Sequence, residues 1–418
     1  MNAAVVGYFN VDSLLSDFYD SYAAALHGRG FTVKGIELGN GRCSTSTGIQ
    51  TIVINNKRHA SWFFVREVLR LPVCWFSNRE LFIYITMQTQ PASLREWLRS
   101  YVRLRLFRKN FKDYLVREDV RHVLLNHQFS GFHLIAREVC EQLSVPFAYW
   151  HPGFLPGTMS FDYTGQLAES EFHKQLLECG LTERADWIEL GNRYLKWARE
   201  GTYRRPGKSY KSNAEVIDYV RIKKKRSSHI ILVVGTNDYR AGILPAEYER
   251  SDIHSRYYKS SDVLFRDTVS VTDEDSFVIY KPHPNVHPGR SGVQELSGRS
   301  AMVFDVALRD LLGEVDLSIS ICSTGLYEAL IAGVPGVIVG CLPGSSVGFF
   351  SNVDGGADAL GLVVKGAIDE GFTEKKRQLF ANFIGYSLSH YFFAHGRSAC
   401  PLVQRGLDQA VDEVFSRC

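Results

Sequence analysis

Two stretches hold the side chains best placed to do chemistry. Residues 276–284 read SFVIYKPHP, an apolar run that ends in Lys281 and His283, each followed by a proline. Residues 319–340 read ISICSTGLYEALIAGVPGVIVG, a second apolar run ending in Ser323 and Thr324, with Glu328 inside the helical spacing that follows. Pro282 and Pro284 stiffen the loop around His283. Lysine offers a point charge, and histidine a donor for a phosphate oxygen or a leaving group. Hydroxyls and backbone N–H groups at a helix start also suit an anion. Taken singly, each stretch also reads as an exposed strand end or an ordinary Ser/Thr helix cap. Taken together they describe a nucleotide phosphate site, with the Glu328 carboxylate one turn further in.

Two further turns follow apolar runs. IILVVGTNDYRAG at 230–242 puts Gly235, Asn237 and Asp238 at the carboxyl end of a strand. Asp238 there is a nucleophile, a base or an orienting group, or it closes an Asx turn. YWHPGFLPGT at 149–158 presents His151 in the same way, and NHQF at 126–129 presents His127. Both histidines could equally be loop residues.

These turns need strands and helices to position them. In the first half, 3–9, 31–38, 51–55, 120–129 and 145–151 read as strands, and 11–30 and 130–144 have helical spacing. After Asp162 the pattern is helical to about residue 200. Polar residues 201–213 and the basic 223–229 follow, and the domain boundary is placed here. A second alternating series then runs through 230–235, 277–282, 301–305, 317–322 and 336–340. Strands alternating with helices imply parallel sheets covered on both faces. The expected fold is α/β: two Rossmann-type lobes, residues 1–225 and 226–418, with a nucleotide-sugar cleft between them, the layout called GT-B. In that layout a last helix, here 374–393, often returns to the first lobe.

Composition limits the classes. At 418 residues the chain is too long for one ordinary core. The net charge of +3, 48 basic less 45 acidic residues, is too small to suggest nucleic acid as a partner. No signal segment and no bilayer-length apolar run is visible, which predicts a cytoplasmic protein. The eight cysteines form no C-x-x-C pair, so reduced thiols are expected and no metal site. Residues 95–112 alternate Arg and Lys with Trp97, Tyr101, Leu104, Phe107 and Phe111. This is either a helix packed on the sheet with a solvated basic face, or one lying peripherally on the inner-membrane surface.

Four segments together resemble the bacterial β-Kdo glycosyltransferases of capsule and O-antigen assembly: GFLPGTMSFDYTGQLAES at 153–170, VVGTNDYRAG at 233–242, YKPHP at 280–284 and SICSTGLYEAL at 320–330. The KPHP and Ser-Thr elements are also similar to those of bacterial sialyltransferases, so they speak for a CMP-linked acidic sugar more than for Kdo itself. The resemblance implies a retaining transferase that uses CMP-β-Kdo, with no metal or other cofactor, and an oligosaccharide or glycolipid acceptor. Asp238 matches the position of the family's nucleophile. Lys281, His283, Ser323 and Thr324 would hold the CMP phosphate, and Glu328 the ribose, beside Gly235 and Asn237. Where the family often has an acidic residue, this chain has His151, which could act as acid or base. Rival readings are a sialyltransferase, a polyol-phosphate transferase or an inactive GT-B scaffold subunit. Acceptor contacts are expected from the loops near 40–60 and 75–95.

Overall fold

The computed structural model describes residues 5–9, 16–37, 50–53, 79–89, 93–201, 213–287, 289–394 and 399–416. Most of the 40–60 segment expected to meet the acceptor, and residues 202–212 of the expected linker, lie outside them; in the 75–95 segment, expected as a loop, Arg79–Thr89 form a helix instead.

Six strands form the first sheet: β1 (Val5–Phe9), β2 (Thr32–Glu37), β3 (Gln50–Val53), β4 (Val120–Leu125), β5 (Phe147–Pro152) and β6 (Met159–Asp162). Their order is β3-β2-β1-β4-β5-β6, parallel except for the β5–β6 pair. The second sheet has seven: β7 (Ile230–Val234), β8 (Phe277–Lys281), β9 (Gly292–Ser297), β10 (Ser300–Phe304), β11 (Leu317–Ser320), β12 (Gly336–Ile338) and β13 (Ser351–Asn352). The order is β13-β12-β11-β7-β8-β10-β9, again parallel except at one edge, where β9 runs against β10. The chain is thus two Rossmann-type α/β lobes, as the alternating pattern predicts. Every residue of β7 and β11 is buried; β7 therefore reads as an unbroken apolar run, whereas β11, Leu-Ser-Ile-Ser, alternates and buries Ser320 by bonding its hydroxyl to the Val234 carbonyl.

In each sheet the first strand has later strands on both sides. Order reverses between β1 and β4 in the first lobe and between β7 and β11 in the second. A crevice opens at the carboxyl ends of such strand pairs, and ligands of open α/β sheets bind there. Gly235 follows β7, Ser323 follows β11, and Asn126 and His127 follow β4. The run at 120–129 expected as one strand ends at Leu125. Polar residues 126–128 form the turn at its carboxyl end instead.

The lobes share their packing. Helices 171–179 and 185–200, although they precede the expected boundary, place Phe172, Leu176, Leu190 and Tyr194 in one core with Ile231, Ile319, Tyr327 and Phe383 of the second lobe. Helix 214–224 covers the other face of the second sheet, with Val216, Ile217 and Val220 against Ile230 and Leu232. Helix 374–390 packs on helix 185–200. The chain then returns to the first sheet, where Phe393 and Met159 exchange backbone hydrogen bonds of 2.9 and 3.1 Å. Helix 407–416 completes that return by burying Ala410, Val411 and Val414 against Tyr22, Leu26 and Leu124.

The basic stretch forms helix 94–117. Its Tyr101, Leu104, Phe107 and Phe111 are buried in the first lobe, so its apolar face is a packing face. Arg95, Arg99 and Arg103 point to solvent, while Arg108 pairs with Glu138 at 2.5 Å. No described helix is long and apolar enough to cross a membrane.

Two glycines set the helix pair 185–200 and 374–390. A Cβ on Gly191 would lie 1.9 Å from the Ala381 carbonyl oxygen, and one on Gly385 would lie 2.0 Å from the Trp187 carbonyl oxygen. Backbone meets backbone at both points. Gly385→Ala gains about 1 kcal/mol of helix propensity but forces the helices apart, an overpacking cost of about 1–3 kcal/mol, so it should lower the urea midpoint. Gly366→Ala in helix 357–370 meets nothing within 4 Å and should raise it. Opposite shifts from the same chemical change would establish the contact; equal shifts would refute it.

Candidate active site

At the carboxyl ends of β7, β8, β10 and β11 lies a cavity of about 450 Å³, walled by Gly235, Lys281, His283, Ser323, Thr324 and Glu328. Six of the residues singled out in the sequence therefore share one cleft. Asn237 and Asp238 sit on the next turn and do not line it. His151 lies on the first lobe.

Gly235 is there because nothing larger fits. A Cβ would come within 2.9 Å of the Tyr280 ring and 3.1 Å of the Lys281 carbonyl oxygen. The Gly235 N–H also donates to that carbonyl at 2.9 Å, locking the Lys281 backbone to the end of β7. His283 Nδ1 accepts the Asn285 N–H at 3.2 Å. In the tautomer this bond selects, the proton sits on Nε2, where it can donate to a phosphate oxygen.

The helix start at 325–332 differs from the expected open row of N–H groups. Ser323 Oγ accepts the Gly325 N–H at 3.2 Å, and the N–H groups of Leu326 and Tyr327 bond back to the Ser323 and Thr324 carbonyls at 3.1 Å. Ser320 Oγ anchors the turn by donating to the Val234 carbonyl at 2.6 Å and accepting the Ser323 N–H at 3.2 Å. Hydroxyls, Lys281 and His283, more than bare N–H groups, are what this wall offers an anion. Gly325 keeps the helix close to the strands, since a Cβ would lie 2.8 Å from Leu308 and 3.1 Å from Val234.

The opposite wall was not foreseen. His287 meets the edge of the Phe304 ring with centroids 5.8 Å apart, and the Arg290 guanidinium lies 5.7 Å from the same ring. Asp305 follows in the left-handed region at φ 48°, unusual for a non-glycine residue. The signal available was an acidic residue at the end of a strand. Its place in the wall depends on the β9–β10 hairpin.

Asp238 is tightly engaged. Its Oδ1 accepts from Ser261 Oγ at 2.7 Å and from Thr236 Oγ1, and its Oδ2 accepts the Ser261 N–H at 3.0 Å. Ser261 opens helix 261–271, so the carboxylate rests on a helix N-terminus. Burial pushes its pKa up, and these hydrogen bonds pull against that rise. A carboxylate has about four lone-pair sites, so one on Oδ2 is still unused.

His151 Nδ1 donates to its neighbour's carbonyl, Pro152 O, at 3.0 Å, and Nε2 accepts from Ser160 Oγ at 3.2 Å. Burial pushes its pKa down to about 4, so at neutral pH it is an uncharged imidazole. Burial likewise lowers His127 to about 3, with the Arg240 charge adding to the effect.

One buried ion pair ties the 153–170 segment to the second lobe. Glu169 accepts from Arg250 Nη1 at 2.6 Å and from His254 Nε2 at 3.0 Å. Burial raises its pKa, but the two donors outweigh this and hold it below the usual carboxylate value. Among the described residues no group of three His, Cys, Asp or Glu side chains converges as metal ligands would.

No family model matches this chain, and no curated protein does. Solved structures similar to it include two of KpsC from Thermosulfurimonas dismutans. The beta Kdo 2,7 transferase is 18% identical over 74% of this chain and 88% of its own, with a TM-score of 0.41. The beta Kdo 2,4 transferase is 15% identical over 63% and 79%, also at 0.41. A glycosyltransferase from Rickettsia africae is 11% identical over the full length of both chains, at 0.42. At these values the site has to be read from its own geometry.

His283→Ala removes the Nε2 donor and should cut turnover by about a hundredfold with the fold intact by circular dichroism. Near-normal transfer would remove His283 from the site. Glu328→Gln should weaken nucleotide binding about tenfold, the loss of one charged hydrogen bond. Unchanged affinity by calorimetry would place the ribose elsewhere.

Proposed function

We propose that this chain is a glycosyltransferase that moves Kdo from CMP-β-Kdo to a saccharide acceptor with retention, in surface polysaccharide synthesis. The convergence of Lys281, His283, Ser323, Thr324 and Glu328 on one cleft carries the reading. That set pairs cations and hydroxyls for a phosphate with a carboxylate for a ribose, at the crevice where an α/β sheet takes its nucleotide. The choice of cytidine and of an acidic sugar rests on the family resemblance of the four sequence segments.

The chemistry then divides between the lobes. Lys281 and His283 Nε2–H stabilise negative charge on the phosphate as the sugar–phosphate bond breaks. CMP leaves with the bonding electrons. Asp238 attacks the anomeric carbon through its unused Oδ2 lone pair and forms a sugar ester. An acceptor hydroxyl attacks the same carbon in the second step, the carboxylate leaves, and the hydroxyl proton passes to a base. His151, held neutral, is the group on the first lobe suited to accept it. Two displacements preserve configuration.

The ties of Asp238 to Thr236 and Ser261 favour a second reading, in which it is a strut that shapes the turn at 235–242 and no adduct forms. Intact-protein mass spectrometry after mixing with CMP-β-Kdo separates the two. The nucleophile reading expects an added mass of one sugar on the peptide holding Asp238, a β-linked product by NMR, and loss of transfer in Asp238→Asn with CMP binding retained. An inverted product without adduct would favour the strut. A thermal-shift series with CMP, CDP, UDP and GDP tests the donor, and a shift without cytidine preference would overturn it. No donor hydrolysis above background would favour a scaffold.

A further inference from the structure

One wall of the nucleotide cavity has no role yet. Lys281, His283, Ser323 and Thr324 offer a phosphate its partners, and Glu328 stands one turn further along the helix that Thr324 caps. The remaining wall is the end of β10 and the residues after it, 304–308. Leu308 fixes where that wall stands. A Cβ on Gly325 would lie 2.8 Å from its side chain, so the segment borders the helix turn that carries Thr324 and Glu328. The cavity, of about 450 Å³, has room for more than a phosphate. A nucleotide with its phosphate on the Ser323–Thr324 turn and its ribose at Glu328 has this wall left for its base.

The wall is apolar except at one point. Phe304 and Val306 are buried and offer carbon to a flat ring. Asp305, between them, lines the cavity and is exposed. Its carboxylate takes part in no hydrogen bond or ion pair among the described residues, although Arg290 lines the same cavity. Arg290 is engaged elsewhere: its Nη1 donates to Gln294 Oε1 at 3.3 Å, and its guanidinium lies 5.7 Å from the Phe304 ring. The backbone of Asp305 is left-handed, at φ 48°. Backbone freedom alone would favour glycine there, and aspartate or asparagine is what such a position tolerates when a side chain is present. The turn therefore presents a carboxylate whose acceptor atoms are uncommitted.

An ionised carboxylate can only accept hydrogen bonds. Cytosine carries a donor at N4, its amino group, where uracil carries the O4 carbonyl, an acceptor. A carboxylate facing that edge bonds the first base and repels the second. We propose that Asp305 selects the base of the donor by accepting a hydrogen bond from the exocyclic amine of cytosine, with the ring packed on the 304–308 wall. The inference rests on the nucleotide-sugar reading above and deepens it. The choice of cytidine, carried so far by sequence resemblance, gains a group in this cavity that enforces it.

The test reads base preference rather than turnover. Asp305→Asn keeps the size and the left-handed tolerance of the side chain, and replaces one acceptor oxygen with an amide that donates. Asp305→Gly removes the carboxylate and eases the backbone. Calorimetry gives Kd for CMP, UMP and AMP with the full chain of wild type and both variants. Wild type should bind CMP about tenfold or more tighter than UMP, as one charged hydrogen bond provides, and both variants should bring that ratio close to one. A CMP preference that survives in both variants would overturn the role of Asp305 and leave the cytidine donor standing. Equal weakening of CMP and UMP would also overturn it, because Asp305 would then act on the ribose or phosphate. Adenine offers an amine at N6. A wild type that prefers AMP to UMP and not CMP, with the preference lost in both variants, would overturn the cytidine donor and leave Asp305 as the amine acceptor. A wild type that prefers UMP would overturn both.

Discussion

Phe154 leaves the carboxyl end of the first sheet and is buried in the core of the second lobe. Its ring lies 4.9 Å from that of Tyr327, 5.7 Å from Phe383 and 4.7 Å from Phe392. Tyr327 belongs to the very helix that begins at Ser323-Thr324-Gly325. An aromatic cluster of this size excludes water and gains contact energy beyond its burial. The loop that follows His151 is thus packed against the helix that forms the anion wall. A side chain on one lobe can keep a defined distance from a ligand on the other only if such a tie exists. Gly153 shows how tight the junction is, because a Cβ there would lie 2.7 Å from the Phe392 ring.

Glu169 makes the second tie a few residues later, and it is of a different kind. Its side chain is 2% exposed, and breaking such a pair by removing one partner leaves a buried charge uncompensated. Between Phe154 and Glu169, Asp162 holds the loop in shape. It accepts N–H bonds from Thr164, Gly165 and Glu171 at 2.9, 3.1 and 2.8 Å. The GFLPGTMSFDYTGQLAES segment, which resembles the Kdo transferases, is therefore occupied in this structure with joining the lobes. Its polar residues serve the joint: Asp162 folds the loop and Glu169 fastens it.

Which parts were legible in the sequence follows from how far apart the cooperating residues lie. β7 and β8 announce themselves because a doubly covered strand is apolar nearly throughout, and β11 shows through Leu317, Ile319 and Ile321 around its buried serines; the residues that end or follow each strand lie at the cleft. Lys281, His283, Ser323 and Thr324 were readable for that reason. β6 was missed because it is short and mixed in polarity, and β9 because it is polar and mostly exposed; both are edge strands that exist only by pairing with β5 and β10. The Phe304–Asp305 wall went with β9. Glu169 reads as one more helix-end acid until Arg250 and His254, 81 and 85 residues later, are brought to it. Asp238 could be named as a residue of interest, but its tie to Ser261 needed the fold.

The electrostatics of the cleft follow from the same geometry. Lys281, His283 and Glu328 of the nucleotide wall are partly exposed. The seam between the lobes is drier, and there burial pushes His127, His133 and His151 below the ordinary histidine range, so they stay neutral at physiological pH. Keeping them neutral avoids buried cations in the seam, where the Arg240 charge acts on His127 and His133. It also leaves them unable to hold a proton in the empty protein. A negative charge brought to the seam reverses that balance, since an anion beside an imidazole favours its protonated form. Any base role for these histidines would then switch on with occupancy of the cleft rather than with pH. The proton acceptor of such a reaction would be made competent by the same ligand that the cations recruit.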